Sequence, residues 1–187
     1  MPYRVRILRI VAVSMVVWGA LGAVATAHAV TGARDAGGRG ANAVFDGREI
    51  SLADGNWEGA EACLIDVGND IAECFTSEAA MNERVADLET AAGATRAASC
   101  SSSVRLYDGS FAGQVLYLSG RGLWINLSIY GFSNRTSSYK IGACSSYFAD
   151  YSNGQGSWYP TGATQAYDQA TAMNSGWNNR VSSIYIT

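Results

Sequence analysis

Two heptapeptides in the second half of the chain, Phe132-Ser-Asn-Arg-Thr-Ser-Ser138 and Trp177-Asn-Asn-Arg-Val-Ser-Ser183, repeat one another. Each begins with an aromatic residue, has Asn-Arg at its centre and ends in two serines. Each also leads into a short run of strand-forming residues, Tyr139–Ile141 or Ile184–Ile186. Two copies of a unit of about 40 residues are too few for a solenoid, so we expect them to form a pseudo-twofold β-sandwich.

A second pair of segments repeats upstream of the heptapeptides. Tyr107 is followed six residues later by Gly113, and Phe148 is followed six residues later by Gly154. From residue 100 onwards, glycine, serine and aromatic residues dominate, which is typical of short strands joined by turns. The sequence therefore predicts a mainly-β domain over residues 100–187, with one motif at 100–141 and a second at 142–187.

These features resemble the βγ-crystallin family in its exported bacterial form, whose domain is a double Greek-key β-sandwich. The family's hairpin consists of an aromatic residue, five further residues and a glycine. Its calcium-binding microbial members add a loop of the form (Asn/Asp)-(Asn/Asp)-x-x-(Ser/Thr)-Ser. Residues 178–183 match that loop in full, whereas residues 133–138 have serine at the first position. A bacterial metalloproteinase-inhibitor family that shares the fold is a more distant resemblance.

The resemblance also implies calcium ligands in each loop. They are an asparagine, the backbone carbonyl of the following arginine and a serine, and a carbonyl of the adjacent hairpin would complete the shell. The residues are Asn134, Arg135 and Ser137 in the first loop, Asn179, Arg180 and Ser182 in the second, and Asp108 or Ala149 in the hairpins. Because every loop ligand is neutral and an arginine lies in each loop, we expect weak binding, with a Kd on the order of 10⁻⁵ to 10⁻³ M. In the alternative interpretation the loops bind no metal and only satisfy their own backbone groups.

The first 29 residues are typical of a secretory signal peptide. Three arginines precede an apolar run from Ile10 to about Ala25, and Ala27-His28-Ala29 supplies the small residues that a signal peptidase recognises. An uncleaved membrane anchor is the alternative, because the run approaches the roughly 18 residues that a span needs. After cleavage the protein would be secreted, with no membrane contact. Its 10 basic and 16 acidic residues would give no reason to expect nucleic acid as a partner.

Between the leader and the β-domain we expect a flexible tether over residues 30–44 and an accessory segment over residues 45–92. Two apolar runs flank Gly68-Asn69 and predict a β-hairpin. Thr76-Ser77 can cap a helix that begins at Glu78, whose apolar residues recur at i, i+4 and i+7. Acidic residues are concentrated before residue 93, which places the boundary with the β-domain at about residues 93–99.

All four cysteines follow the leader, and an even count in an exported protein favours disulfides. Four cysteines allow three pairings. We expect Cys63 to pair with Cys74 across the predicted hairpin, and Cys100 to pair with Cys144 because each precedes the first strand of its motif. A four-thiolate metal site is the alternative, and the lack of a close Cys-x-x-Cys pair disfavours it.

The chain lacks the residues of familiar enzymes, so we expect a non-enzymatic structural, stress or binding module. The absence of histidine after residue 29 excludes a Ser-His-Asp triad and a His-ligated zinc site. A Ser–Lys pair is formally possible only through Lys140, the single lysine. The alternatives are a secreted protease inhibitor and a module that binds cell-wall glycan through exposed aromatic residues. Candidates for such a surface are Trp124, Trp158 and Trp177, and the pair Tyr151 and Tyr159.

Overall fold

The computed structural model describes residues 40–91 and 103–187, which contain twelve short strands, one α-helix and three short 3-10 helices. The 3-10 helices are Trp57–Gly59, Leu127–Tyr130 and Ser152–Gly154. The strands are β1 (Asn42–Phe45), β2 (Arg48–Ser51), β3 (Ala62–Asp66), β4 (Ile71–Phe75), β5 (Ser103–Tyr107), β6 (Val115–Ser119), β7 (Trp124–Asn126), β8 (Ser138–Ile141), β9 (Ser146–Ala149), β10 (Trp158–Tyr159), β11 (Gln169–Ala170) and β12 (Ser183–Ile186). The helix is α1 (Glu78–Ala91).

The strands form two sheets. The larger sheet has the order β11-β8-β5-β6-β3-β4-β1-β2, and the smaller has the order β10-β9-β12-β7. The strands β1 to β4 extend the larger sheet through a parallel pairing of β3 with β6, in which Ala62 lies opposite Val115. The accessory segment and the β-domain therefore share one continuous sheet.

Each half of residues 103–187 is a Greek key. In the first half, β5 and β6 form a hairpin, β7 crosses to the smaller sheet and β8 returns beside β5. In the second half, β9 and β10 form a hairpin, β11 crosses to the larger sheet and β12 returns beside β9. This strand order, in which the fourth strand lies beside the first, defines the motif. The predicted mainly-β, double Greek-key fold class is confirmed.

Buried side chains lie on both sides of the larger sheet. Leu106 and Leu116 face the smaller sheet and pack with Phe148 and Ile184, while α1 packs Met81 on the opposite side. A strand that is covered on both faces has no need of polar alternation, and all five residues of β3 are buried. The molecule therefore has three layers: helix, larger sheet and smaller sheet.

The predicted hairpin and helix of the accessory segment are confirmed. In β3 and β4, Cys63 lies directly opposite Cys74 and is bonded to it. The helix begins at Glu78, and the Ser77 hydroxyl accepts a hydrogen bond from the Ala80 N–H at 3.2 Å. No helix among the described residues is both long and apolar enough to cross a membrane.

The predicted tether over residues 30–44 is wrong at its C-terminal end. Strand β1 begins at Asn42 and pairs with β2 in antiparallel and with β4 in parallel orientation. Asp46 and Gly47 form the turn between β1 and β2, with φ angles of 50° and 73°, as tight hairpin turns require. The Asp-Gly dipeptide is the signal that would have predicted this hairpin. The predicted signal peptide and residues 30–39 of the predicted tether lie outside the described residues.

Candidate metal site in the paired loops

The two heptapeptides form loops that lie side by side and exchange backbone hydrogen bonds. The Asn134 N–H donates to the Val181 carbonyl at 2.8 Å, and the Asn179 N–H donates to the Thr136 carbonyl at 2.9 Å. Both asparagines have a positive φ, of 58° and 56°, a conformation that asparagine adopts more readily than most residues. The sequence repeat thus becomes a pair of loops related by pseudo-twofold symmetry.

The side-chain oxygens meet across the loops rather than within them. The Ser182 hydroxyl donates to Asn134 Oδ1 at 3.1 Å, and the Ser137 hydroxyl donates to Asn179 Oδ1 at 3.2 Å. The resemblance had grouped Asn134 with Ser137 and Asn179 with Ser182, and these groupings are not the ones that the structure brings together. Exchange of the backbone hydrogen bonds is the reason, because it sets each asparagine beside the serine of the opposite loop.

The two crossed pairs differ in their surroundings. A second hydroxyl, that of Ser133, donates to Ser182 Oγ at 3.1 Å, so Ser182 Oγ joins the side-chain oxygens of Ser133 and Asn134. The Ser182 side chain is buried, whereas Ser137 is only half-buried. The Asn134–Ser182 pair is therefore the more enclosed of the two.

The arginine of each loop faces a carboxylate. Arg135 Nη2 lies 2.8 Å from Asp108 Oδ2, and Arg180 Nη2 lies 2.6 Å from Asp150 Oδ2. Each guanidinium also lies over the ring of the aromatic residue that begins its heptapeptide. The positive charge that was expected to repel calcium is therefore offset in both loops.

Each loop is also attached to the hairpin of its own motif. The Ser137 N–H donates to the Tyr107 carbonyl at 2.7 Å, and the Ser182 N–H donates to the Ala149 carbonyl at 2.8 Å. The predicted Ala149 carbonyl thus lies against its loop. In the first motif the carbonyl in this place belongs to Tyr107, and Asp108 contacts the loop through its carboxylate.

The same two carboxylates close the hairpins. Asp108 Oδ1 accepts a hydrogen bond from the backbone N–H of Gln114, and Asp150 Oδ1 accepts one from that of Ser157. Each donor directly follows a glycine of positive φ, Gly113 in the first hairpin and Gly156 in the second. Gly156 is therefore the structural counterpart of Gly113, whereas the sequence alignment had placed Gly154 there. The second hairpin is one residue longer, and the aligned aromatic residues are offset by one, because Phe148 holds the place of Leu106 and not that of Tyr107. A spacing argument could not detect these two shifts because Gly154 also satisfied the motif.

The donor set of the crossed pairs consists of neutral oxygens. Amide, hydroxyl and backbone carbonyl oxygens are hard ligands that suit calcium, whereas zinc and copper favour nitrogen or sulfur. Within the described part of the chain, no group of three or more His, Cys, Asp or Glu residues could hold a metal. A calcium ion at these pairs would be held by neutral dipoles, for which weak affinity is expected.

The aromatic candidates divide into two groups. Trp124 and Trp158 lie together, with ring centroids 5.5 Å apart. Trp177 lies elsewhere and packs against Tyr159 at 5.3 Å. The predicted pairing of Tyr151 with Tyr159 for sugar stacking is wrong, because Tyr159 is 5 % exposed and is part of the core.

Lys140, the candidate for a Ser–Lys pair, and Cys144, a candidate disulfide partner, both lie in environments that the structure describes. The Lys140 Nζ lies over the rings of Tyr107 and Phe111, at 5.0 and 4.6 Å from their centroids, which is a cation–π arrangement. Cys144 is buried and disulfide-bonded, and its predicted partner Cys100 lies outside the described residues.

No protein-family model matches the chain, and no curated protein matches it. Among solved structures, a βγ-crystallin from Ciona intestinalis is similar, with 18 % identity over 46 % of this chain and 99 % of that chain and a TM-score of 0.39. A βγ-crystallin from an archaeon has 20 % identity over 46 % of this chain and 99 % of its own, with a TM-score of 0.36. A βγ-crystallin domain from Flavobacterium johnsoniae has 21 % identity over 45 % and 92 %, with a TM-score of 0.35. All three are βγ-crystallin domains, the family that the sequence motifs resemble.

Proposed function

We propose that the protein is an exported, non-enzymatic βγ-crystallin-like module that binds calcium weakly at its two crossed loop pairs. The observation that carries this proposal is the convergence of an asparagine oxygen and a serine oxygen from opposite loops, within 3.1 and 3.2 Å. Export is supported by the leader pattern in residues 1–29 and by the Cys63–Cys74 disulfide, because such bonds persist in oxidising compartments.

Calcium at either pair would bridge the two Greek keys. Asn134 belongs to the first motif and Ser182 to the second, so an ion between their oxygens would link segments separated by 48 residues. The ion would replace a hydroxyl-to-amide hydrogen bond with two oxygen–metal contacts. Because the ligands come together only in the folded chain, calcium would stabilise the fold by mass action, by about 2.7 kcal/mol per site at a hundredfold excess over Kd.

Calcium titration calorimetry and thermal melting of the purified protein test this proposal. Heat of binding at sub-millimolar to millimolar calcium, with a rise in melting temperature, is the expected result. Replacing Asn134 by aspartate adds a carboxylate to the enclosed pair and should increase the affinity. Asn82→Asp is the matched control, because Asn82 lies on α1 behind the larger sheet and its Oδ1 accepts from Arg105. If millimolar calcium produces neither heat nor a shift in melting temperature, the proposal fails.

A further inference from the structure

Four aromatic rings cluster on the outer side of the smaller sheet, one from each of its strands. They are Trp124 of β7, Tyr147 of β9, Trp158 of β10 and Tyr185 of β12. Adjacent rings contact one another in a closed cycle, with centroid separations of 5.3, 5.5, 5.6 and 6.4 Å. We call this cluster the aromatic box.

Strand register explains why the rings meet. Tyr185 lies directly opposite Trp124 on one side and Tyr147 on the other. Because side chains alternate between the faces of a sheet, the neighbouring Ile184 and Phe148 point into the core, where both are fully buried. The aromatic box therefore lies on the face turned away from the core.

The outer face of the smaller sheet and the outer face of the larger sheet are related by pseudo-symmetry, but they differ in what covers them. Arg105 and Lys140, opposite one another on the larger sheet, hold the places that Tyr147 and Tyr185 hold on the smaller one. The outer side of the larger sheet is covered by α1, which reaches Arg105 through Glu78 at 3.8 Å. Among the described residues, no α-helix covers the aromatic box. The short 3-10 helix Ser152–Gly154 packs against Trp124 at one edge of it and leaves Trp158 46 % exposed.

The chemistry of the open face selects a neutral partner. The strands β7, β9, β10 and β12 contain no charged residue, whereas the larger sheet carries charges on β2, β3, β4, β5 and β8. A charged peptide or anionic surface would therefore find no complementary group in these strands.

The size of the open face selects a small or narrow partner. Trp and Tyr side chains each have roughly 150–250 Å² of surface, so the four partly covered rings expose on the order of 300 Å². A stable protein interface needs about 800 Å² on each partner. The aromatic box is therefore too small for a second copy of the chain, but it matches one or two sugar rings.

We propose that the aromatic box binds a neutral glycan of β-linked pyranose units. Such sugars present a face of C–H bonds that stacks on an aromatic ring, while their hydroxyl groups remain at the edge in contact with water. The exposed Trp158 ring is the principal stacking surface, and its Nε1 donates to the Gly154 carbonyl at 2.7 Å, which fixes the ring orientation. The binding is independent of the calcium loops.

Binding to insoluble cellulose and to insoluble chitin tests this proposal, with the purified protein measured in the supernatant. We expect retention on at least one of them, and about tenfold weaker retention for W158A, since the variant loses apolar contact worth roughly 1.4 kcal/mol. The matched control is Y167A, which removes a 76 % exposed ring outside the aromatic box and should bind normally. Failure of the unsubstituted protein to bind either polymer, or equal retention of W158A, would overturn the proposal.

Two further measurements test whether W158A is misfolded and whether a second copy of the chain, rather than a glycan, binds the aromatic box. Soluble cellohexaose or chitohexaose should shift the tryptophan emission of the unsubstituted protein, and absence of any shift would count against the proposal whatever happens to W158A. Sedimentation of both forms over a range of concentrations covers self-association. Dimerisation that W158A abolishes would assign the face to a second copy of the chain and overturn the glycan proposal.

Discussion

Replacing Gly156 by alanine should destabilise the fold much more than replacing Gly176. The two glycines have similar left-handed backbones, with φ of 79° and 82°. Alanine therefore costs about 1–2 kcal/mol of backbone strain at either position. A Cβ at residue 176 would meet nothing within 4 Å, whereas a Cβ at residue 156 would lie 1.9 Å from Asp150 Oδ1. The Asp150 carboxylate would have to move away.

The added cost comes from the contacts that Asp150 would lose. Its Oδ1 accepts from the Ser157 N–H at 2.7 Å, its Oδ2 accepts from Arg180 at 2.6 Å, and its side chain is 6 % exposed. A hydrogen bond to a buried charged group contributes about 1.5–3 kcal/mol. The Arg180 side chain is 46 % exposed, so the ion pair contributes at most about 1 kcal/mol after solvent screening. Gly156→Ala should therefore lower the free energy of unfolding by about 3–5 kcal/mol, against about 1–2 for Gly176→Ala.

Urea denaturation of the two variants and the unsubstituted protein measures this difference directly. The free energies of unfolding can be compared if the three proteins share the same dependence of that free energy on urea concentration. The comparison removes the cost of backbone strain, because both variants introduce the same methyl group into a similar backbone conformation. The remaining difference reports mainly the buried Asp150 contacts, since the Tyr151 ring, 2.6 Å from the new Cβ, is exposed and can move. Equal destabilisation by the two substitutions would refute the reasoning, since it would mean that Asp150 contributes nothing to holding the second hairpin closed.

Three other outcomes follow from buried groups. The Thr136 hydroxyl is buried without a hydrogen-bond partner, and the counterpart of Thr136 in the second loop is the buried Val181. T136V should therefore raise the free energy of unfolding by about 1 kcal/mol, and V181T should lower it by about as much, in urea titrations. Replacing both Cys63 and Cys74 by serine should cost about 3 kcal/mol in the same assay, because the unfolded chain is no longer restricted by a cross-link between residues 11 positions apart. Burial raises the pKa of three tyrosines above the usual value of about 10, so their contribution to stability is complete below that pH and is lost as pH rises further. Alkaline titration of tyrosinate absorbance should show these groups ionising only as the protein unfolds; they are Tyr107, Tyr117 and Tyr139.

Features with a local cause could be predicted from the sequence. The Ser77 cap and the start of α1 depend on a few adjacent residues, and the hairpin that carries Cys63 depends on one turn. The repeat of the same residues at similar spacing predicted a pseudo-twofold β-sandwich, and the double Greek key was expected from the resemblance to the βγ-crystallin family. Either half of the repeat alone is a weak signal, and the two together are a stronger one.

Features that depend on contacts between distant segments could not be predicted. The pairing of Asn179 with Ser137 joins positions 42 residues apart, and nothing in either heptapeptide specifies which serine its asparagine will meet. The parallel pairing of β3 with β6 likewise carries no sequence signature of its own. The strand β1 was missed because its surroundings are rich in glycine and alanine, and only the Asp46-Gly47 turn marked it.

The most direct test of the proposed crossed calcium sites is calorimetric calcium titration of N179A beside two double variants. In the crossed arrangement, Asn179 and Ser137 belong to one site, whereas Ser182 belongs to the other. N179A/S137A should therefore retain one site, as N179A does, and N179A/S182A should retain none. Retention of one site by N179A/S182A together with loss of both by N179A/S137A would contradict the account, as would the absence of calcium binding to the unsubstituted protein.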